Sequence, residues 1–164
     1  MFIDCIKSNQ NMKIKQKGAV NLDLIELTIN RLNTICCECD CYKTPNCIKS
    51  NCNIGFATDI LNKMKDEGLF TVEGGLKLIP NLDTKFYDNE VVAQSIASIC
   101  KLCKGCNNNH SELCSISLAR KSIESVVLKD TIMYPGNPLS YFMEVTRQNE
   151  NFANMIIDEY RKLG

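Results

Sequence analysis

The chain has 164 residues, of which 45% are hydrophobic and 23% are charged, and these values are ordinary for one globular domain with its own core. Nineteen basic residues balance nineteen acidic ones, so the basic surface of a dedicated nucleic-acid-binding protein is not expected. No apolar run reaches the roughly 18 residues that cross a bilayer, and residues 1–18 hold no continuous apolar segment typical of a signal peptide. We therefore expect a cytoplasmic protein without a membrane partner.

The first part of the chain is predicted to form two helices around a loop. Apolar residues recur at helical spacing from Asn21 to Cys36 and again from Cys52 to Gly68, and the glycine suits a C-cap. Between them, "CCECDCYKTPNCIKSN" contains the turn residues of a loop. The two short apolar runs of "LFTVEGGLKLIP", on either side of Gly74, then predict a β-hairpin.

The next part repeats the helix–loop–helix order. A helix is predicted from about Asn89 to Cys103, and another from Glu112 with Ser111 as its N-cap residue. After "MYPGNP", one or two helices are predicted in residues 138–164. Their candidate core residues are Leu139, Phe142, Met143, Phe152, Ile156 and Tyr160.

Two parts of the chain, about 21–68 and 88–129, also share short sequences. In the first, "NTIC" ends a helix and "CNIGFA" opens the next, and in the second, "ASIC" and "CSISLA" stand at the same places. We therefore predict a mainly α-helical single metal-binding domain over residues 1–164. It would contain an internal duplication of a helix–cysteine loop–helix unit, one small β-hairpin and C-terminal helices at 138–164. Chance similarity is the alternative, because Ile, Ala and Cys are frequent here.

The chain has eleven cysteines, and ten of them fall in residues 36–52 and 100–114, while Cys5 stands apart. Ordinary cytosolic thiols are kept reduced, so clustered cysteines favour a metal site over a disulfide framework. Two foci predict two sites, or one larger site assembled from both. The repeat assigns eight cysteines as ligands, namely Cys36, Cys39, Cys41, Cys52, Cys100, Cys103, Cys106 and Cys114.

The spacing of these cysteines bears on the kind of metal centre. Structural zinc sites usually pair two knuckles across a dozen or more residues, whereas a Cys-x2-Cys-x2-Cys triplet with a fourth cysteine is typical of a [4Fe-4S] cluster. The triplet resembles part of the bacterial ferredoxin motif, but the final gap is seven rather than three and no proline follows Cys114. We predict one or two [4Fe-4S] clusters, with zinc, or reactive thiols and disulfides, as alternatives. Cys37, Cys47 and His110 are alternate ligands.

The surroundings of the cysteines carry weaker signals. Cys52 and Cys114 are predicted in the first turn of a helix, where unpaired N–H groups and the helix dipole favour a thiolate or an anionic cluster. Nearby lysines could offset such charge or steer an acidic partner, but they and Arg120 are expected mainly to be solvated. These lysines are Lys43, Lys49, Lys101 and Lys104.

The rest of the sequence offers no catalytic motif, because it lacks a phosphate-binding glycine loop, a serine nucleophile motif and a His–carboxylate cluster. We therefore predict an electron-transfer protein or accessory redox subunit, rather than an enzyme, that works with a redox partner protein and could form a homo-oligomer. The abundance of Asn, Ile and Lys fits an anaerobe. One alternative is a redox- or iron-sensing winged-helix-like regulator, suggested by "ILNKMKDEGLFTVEGGLKLIP". The other is a zinc-stabilised protein-interaction module.

Overall fold

A computed structural model of the chain describes residues 21–105 and 111–164, and it places six α-helices and no named β-strand within them. Cys106 and His110 lie outside the described residues, as does Cys5, so the predictions for Cys106 and His110 fall outside them too. The helices are α1 Leu22–Cys37, α2 Asn53–Glu67, α3 Asn89–Gly105, α4 Ser115–Glu124, α5 Pro138–Gln148 and α6 Glu150–Lys162. The mainly α-helical fold class is confirmed.

No helix in the described part of the chain is both long enough and apolar enough to span a membrane.

Local sequence sets the ends of the first two helices. The Asn21 side chain accepts hydrogen bonds from the backbone N–H groups of Asp23 and Leu24, at 3.0 and 3.2 Å, and so caps α1. Helix α2 ends at Gly68, whose φ of 71° is the left-handed conformation that glycine adopts without strain. Both predicted boundaries are confirmed.

Helix α4 begins later than predicted. The expected start was Glu112 after Ser111, but the helix begins at Ser115 and Cys114 is its N-cap residue. The Ser111 hydroxyl oxygen instead accepts a hydrogen bond from the backbone N–H of Leu113 at 3.2 Å, which closes a short turn before the helix. That turn leaves the backbone before α4 free to pair with another segment.

The predicted β-hairpin at 69–80 is wrong, because this segment pairs with the residues before α4 rather than with itself. The backbone N–H of Val72 donates to the Leu113 carbonyl at 2.9 Å, beside an isolated antiparallel bridge. Gly74 has the expected left-handed φ of 70°, but Gly75–Leu78 then form a 3₁₀ helix instead of a second strand. Two glycines in a row indicated the turn correctly and the strand pairing incorrectly.

Helices α1 and α3 pack antiparallel. The hydroxyl of Thr28 lies 2.8 Å from that of Ser98, whereas Arg31, one turn further along α1, donates to the Gln94 carbonyl one turn earlier in α3. The C-terminal end of α1 therefore lies beside the start of α3. The Arg31 side chain also forms an ion pair with Glu159 of α6 at 2.5 Å, which ties the C-terminal helix to the same pair.

Helices α2 and α4 are antiparallel as well. At the start of α2, the side-chain amide of Asn53 donates to the hydroxyls of Ser122 and Ser125 at the end of α4, at 3.1 and 3.0 Å. At the other end, the Ser115 hydroxyl at the start of α4 donates to the Leu69 carbonyl just after α2, at 2.6 Å. These contacts fix which ends of the four helices lie together.

The apolar core draws residues from all six helices. Among the predicted core residues at the C-terminus, Phe142, Phe152 and Ile156 are buried as expected. Leu139 and Met143 are 71% and 56% exposed, so their prediction as core residues is wrong. Because they lie four apart on α5, one turn along the helix, they share a face that points away from the core.

Candidate metal centre

Five cysteine side chains line one cavity of about 180 Å³ between α1, the loop that follows it and α2. We call it the thiol cavity. Cys36 comes from the last turn of α1, Cys39, Cys41 and Cys47 come from the loop, and Cys52 is the N-cap residue of α2. The structure thus brings together the four ligands predicted for this segment and one predicted alternate.

The other alternate ligand of this segment is placed differently. Cys37 follows Cys36 on α1. Its thiol is not free, and it does not line the thiol cavity. Consecutive helical residues point about 100° apart, so one of a vicinal pair faces away from a site that the other lines. The position of Cys37 follows from this geometry.

Cys52 is held in place at the start of α2. Its Sγ accepts a hydrogen bond from the backbone N–H of Gly55 at 3.4 Å and lies 3.3 Å from the hydroxyl oxygen of Tyr87. First-turn N–H groups have no helical partner, so they stabilise a thiolate placed among them. Cys52 is the cap residue itself, one position before the first turn in which the sequence placed it.

Tyr87 joins Cys52 to a buried carboxylate. The Tyr87 hydroxyl donates to Asp83 Oδ2 at 2.6 Å, Asp83 also accepts from the backbone N–H of Asn53 at 2.9 Å, and Lys85 Nζ lies 3.0 Å from Asp83 Oδ1. Burial by itself would raise the pKa of Asp83, but these hydrogen bonds outweigh it and hold the pKa below its ordinary value. The ionised carboxylate therefore fixes the Tyr87 hydroxyl beside the sulfur.

Sequence reasoning missed this supporting group. Tyr87, Asp83 and Lys85 lie in "DTKFYDNE", more than thirty residues after Cys52 and at no recognisable spacing from any cysteine. Only packing of the α2–α3 connection against the start of α2 brings them to the thiol cavity. These three residues could be recognised as part of the site only once the fold was known.

The thiols influence one another electrostatically. Burial, followed by the neighbouring Cys52, Cys47 and Cys39, raises the pKa of Cys36 to about 11, while the Lys49 ammonium acts in the opposite direction. A thiolate at any of these three neighbours therefore opposes the ionisation of Cys36. A metal ion or cluster bound among the cysteines would stabilise their thiolates together, which is the usual coupling between metal binding and proton release.

A single-ion site would require the sulfurs to lie close together. Sulfurs bound tetrahedrally to one zinc at about 2.3 Å lie only about 3.8 Å apart. Within residues 21–105 and 111–164, no group of three or more His, Cys, Asp or Glu side chains is arranged to hold one metal ion. The cysteines that line the thiol cavity thus form no preformed ion site within the described residues.

The second cysteine segment is organised differently. Cys100 is completely buried, whereas Cys103 and Cys114 are partly exposed. Burial, and then Cys103, raises the pKa of Cys100 well above its ordinary value, although the Arg120 guanidinium acts in the opposite direction. Cys114 caps α4 without a hydrogen bond from its side chain. The fourth predicted ligand, Cys106, is outside the described residues, so this site is described only in part.

The two cysteine segments lie at opposite ends of the helix pairs. Cys52 stands where α2 begins and α4 ends, whereas Cys114 stands where α4 begins, one length of this ten-residue helix away. At 1.5 Å per residue, that separation is roughly 15 Å. Cys52 and Cys114 therefore cannot belong to one shared centre.

Among the charged residues near the cysteines, Arg120 departs most from the prediction. Arg120 is completely buried rather than solvated, and its guanidinium forms an ion pair with Glu124 at 2.5 Å. Glu124 also accepts from the Tyr141 hydroxyl and from the backbone N–H of Ile132, each at 2.8 Å. The charge pattern of the sequence did not reveal this pair, because its partners come from α4, α5 and the loop between them.

Of the four lysines named from the sequence, Lys104 is exposed as expected, and the other three divide into two groups. Lys49 lines the thiol cavity, together with Lys85, which the sequence did not single out. Lys43 and Lys101 instead lie over the rings of Tyr42 and Tyr160, at 5.3 and 3.8 Å from the ring centroids. Only the first group can offset negative charge at the thiol cavity.

The thiol cavity thus combines soft sulfur ligands, two cationic side chains and a hydrogen-bonded tyrosine. Thiolates select zinc, copper(I) and the iron of iron–sulfur clusters over hard cations. No protein family, curated protein or solved structure matches the chain. The function must therefore be inferred from the chemistry of the site.

Proposed function

We propose that the thiol cavity binds a [4Fe-4S] cluster and that the protein transfers electrons, as a carrier or as an accessory subunit of a larger redox enzyme. The observation that carries the proposal is the cavity of about 180 Å³ lined by five cysteine sulfurs. Four thiolates complete the coordination of the four irons of such a cluster. A cluster without an open coordination position exchanges electrons rather than binding a substrate.

The number of cysteines and the size of the cavity support a cluster over a single zinc ion. Thiolates on one zinc must approach one another closely, whereas thiolates on different irons of a cluster lie further apart. Five cysteines around a cavity of about 180 Å³ are more consistent with the second case. The cationic side chains of Lys49 and Lys85 in the cavity wall would offset the negative charge of the bound cluster.

The sequence repeat and the exposure of the thiols select four of the five ligands. Cys36, Cys39, Cys41 and Cys52 follow the repeated pattern and are partly buried, whereas Cys47 is exposed. An exposed thiol in a loop is the easiest of the five to leave uncoordinated. We therefore assign the first four to the cluster and Cys47 to the rim of the cavity.

The packing supports the proposed internal duplication. In both segments the last cysteine, Cys52 or Cys114, is the N-cap residue of a helix. The corresponding helices also pack antiparallel, as a two-fold axis perpendicular to them would give. Ile54 and Ala57 of α2 are buried, and so are Ile116 and Ala119 at the corresponding positions of α4. The second unit would then retain the plan of the first.

The two alternative functions differ in what supports them. A winged-helix-like regulator would need the hairpin as its wing, and residues 75–78 form a 3₁₀ helix instead. A zinc-stabilised interaction module remains the outcome that the metal analysis must separate from a cluster.

The first test is the iron, acid-labile sulfide and zinc content of protein purified without oxygen, together with its visible spectrum. We expect about four irons and four sulfides per chain with a broad band near 400 nm, and about eight of each if the second segment also binds a cluster. Stoichiometric zinc in a colourless protein without sulfide would overturn the proposal.

Single substitutions then test the ligand assignment. Cys36→Ser and Cys52→Ser should each lose most of the bound iron, whereas the matched control Cys47→Ser should keep it. Circular dichroism of each variant would show whether the helices persist. Iron content in Cys36→Ser and Cys52→Ser equal to that of the parent protein would contradict the proposed site.

A further inference from the structure

A surface groove of about 420 Å³ shares a wall with the thiol cavity. The shared wall is formed by Cys39, Cys41, Lys85 and Tyr87, which line both spaces. Anything bound in the groove therefore lies directly against two of the proposed cluster ligands. This position makes the groove a short route from the proposed cluster to a bound partner.

The groove carries an excess of negative charge, and we call it the acidic groove. Glu38, Asp40 and Asp88 are exposed and line it, and within the described ranges none of them forms an ion pair with a lysine or arginine. Lys85 is the one cation in the lining, and the carboxylate of Asp83, 3.0 Å away, balances its charge. A thiolate-bound cluster next to the groove would be anionic as well.

An apolar anchor stands in the same groove. The ring of Phe86 lines it and is fully exposed to solvent, and Leu82 of the same loop is 86% exposed. Large aromatic side chains at the centre of a patch, with a charged rim, are the usual composition of a protein-binding surface. A free aromatic ring surrounded by carboxylates is thus more consistent with a docking surface than with a small-ligand pocket.

The charge also selects the kind of occupant. A second copy of this chain, docked through the same face in a two-fold dimer, would bring two acidic grooves together, and like charges would oppose it. A nucleic acid would be repelled for the same reason. A surface with clustered lysine or arginine side chains is complementary.

We propose that the acidic groove docks a redox partner protein that presents lysine or arginine side chains around an apolar contact for Phe86. The docked partner receives one electron through the wall formed by Cys39 and Cys41: the reduced [4Fe-4S]⁺ cluster becomes [4Fe-4S]²⁺, and the one-electron acceptor of the partner is reduced. The electron transfer rests on the proposed cluster, whereas the docking does not.

Docking is tested first, without reference to iron. The probe is oxidised cytochrome c, a lysine-rich haem protein, and its control is the same protein after lysine acetylation, which removes the charges and keeps the haem. Isothermal titration at low ionic strength should give a Kd that is weakened at least about tenfold by acetylation. Equal affinity for the two forms would overturn the proposal.

Charge reversal locates the surface. The double variant Glu38→Lys/Asp40→Lys should weaken binding at least about tenfold, and the difference should shrink at high salt because screening removes it. The matched control is Asp66→Lys/Glu67→Lys, which makes the same change in net charge at exposed positions near the C-terminal end of α2, away from Cys52. An equal loss in both double variants would mean that net charge alone governs binding, and the groove would be excluded.

Electron transfer is measured last, by stopped flow, from dithionite-reduced and desalted protein to cytochrome c. Phe86→Ala should slow the second-order rate several-fold without changing the iron content. Protein that holds no iron even after oxygen-free purification, yet binds cytochrome c in the groove, would overturn the cluster and leave the docking intact. A rate that is unchanged by Glu38→Lys/Asp40→Lys in an iron-loaded preparation would overturn the docking and leave the cluster intact. If sedimentation shows a dimer that Phe86→Ala dissociates, the face is an interface between copies and the partner proposal fails.

Discussion

The two cysteine segments share a sequence pattern and differ in what surrounds their sulfurs. Cys36 faces the thiol cavity, where Lys49 and four other thiols lie close by, whereas its counterpart Cys100 is completely buried and senses the Arg120–Glu124 pair. Both follow an isoleucine at the C-terminal part of a helix. Sequence spacing therefore identifies candidate ligands. The groups packed around each sulfur then determine whether it faces a cavity or the core.

The helices that follow the cysteine loops show the same contrast at a single position. The third residue after the N-cap cysteine is Gly55 in α2 and Ser117 in α4. A Cβ at Gly55 would lie 2.9 Å from the Lys49 Cα, because the 3₁₀ turn Lys49–Asn51 packs against the start of α2. The first loop folds back on its helix here, and that packing closes the thiol cavity.

The largest effect is expected where the buried charges lie, in Arg120→Met. The substitution leaves the Glu124 carboxylate buried beside Tyr141 without its counter-ion, and breaking such a pair from one side lowers the free energy of unfolding by about 3–5 kcal/mol. Denaturant unfolding measures it. The control is Arg147→Met, which removes an exposed pair with Glu144 and should cost at most about 1 kcal/mol. Equal losses would contradict the contrast between a buried and an exposed pair.

The contrast between the two loops is tested by Gly55→Ala. Strain against the Lys49 backbone should exceed the gain in helix propensity and lower stability by about 1–2 kcal/mol, with reduced iron content because the loop moves away from α2. Ser117→Ala, at the corresponding position of α4, should leave both quantities nearly unchanged. A stabilised Gly55→Ala variant with full metal content would show that the close approach is not needed.

A smaller effect is expected from removing the hydroxyl beside Cys52. Tyr87→Phe keeps the ring and removes the hydroxyl, whose one proton is donated to Asp83 in this structure and would turn to Cys52 Sγ to support a thiolate. Loss of such a group beside a metal ligand typically weakens metal retention about tenfold. Iron release to a chelator, followed by absorbance, measures it. Tyr160→Phe, at a ring that packs edge-on against Phe142, should release iron at the parent rate. Identical release from both variants would remove Tyr87 from the support of the site.

The smallest effect concerns pH. Since the folded-state pKa of Asp83 lies below its ordinary value, this group contributes stability above its unfolded pKa, and the contribution is lost as pH falls through the lower, folded value. Metal-free parent protein should therefore lose more stability between pH 6 and pH 3 than Asp83→Asn does. Parallel curves for the two proteins would show that Asp83 is not held ionised by its hydrogen bonds.

Helix positions were predictable from the sequence because they depend on local signals. Apolar spacing, the Asn21 cap and the Gly68 terminator act within a few residues, and they located α1 and α2 closely. The hairpin failed because the partner of Val72 is Leu113, some forty residues away, and no local pattern shows that pairing. The prediction that Arg120 is solvated was wrong for a similar reason.

The cysteines that line the candidate site could be predicted from the sequence, whereas the groups that support them could not. Cysteine spacing identified four sulfurs of the thiol cavity, because ligands of a local loop are close in sequence. Tyr87 and Asp83 reach the site through tertiary packing, and the acidic groove arises only where the α2–α3 connection crosses the cysteine loop. Residues that support a ligand through tertiary contacts have no characteristic sequence spacing from it.

The antiparallel packing of α2 and α4 has a consequence for how the molecule can change. Since Cys52 and Cys114 lie roughly 15 Å apart, substitutions at the two positions should combine additively in their effect on stability, as is usual for sites more than about 7–10 Å apart. Each end can therefore lose or gain a ligand while the other keeps its properties. Substitutions in one cysteine segment can therefore accumulate without changing the other segment.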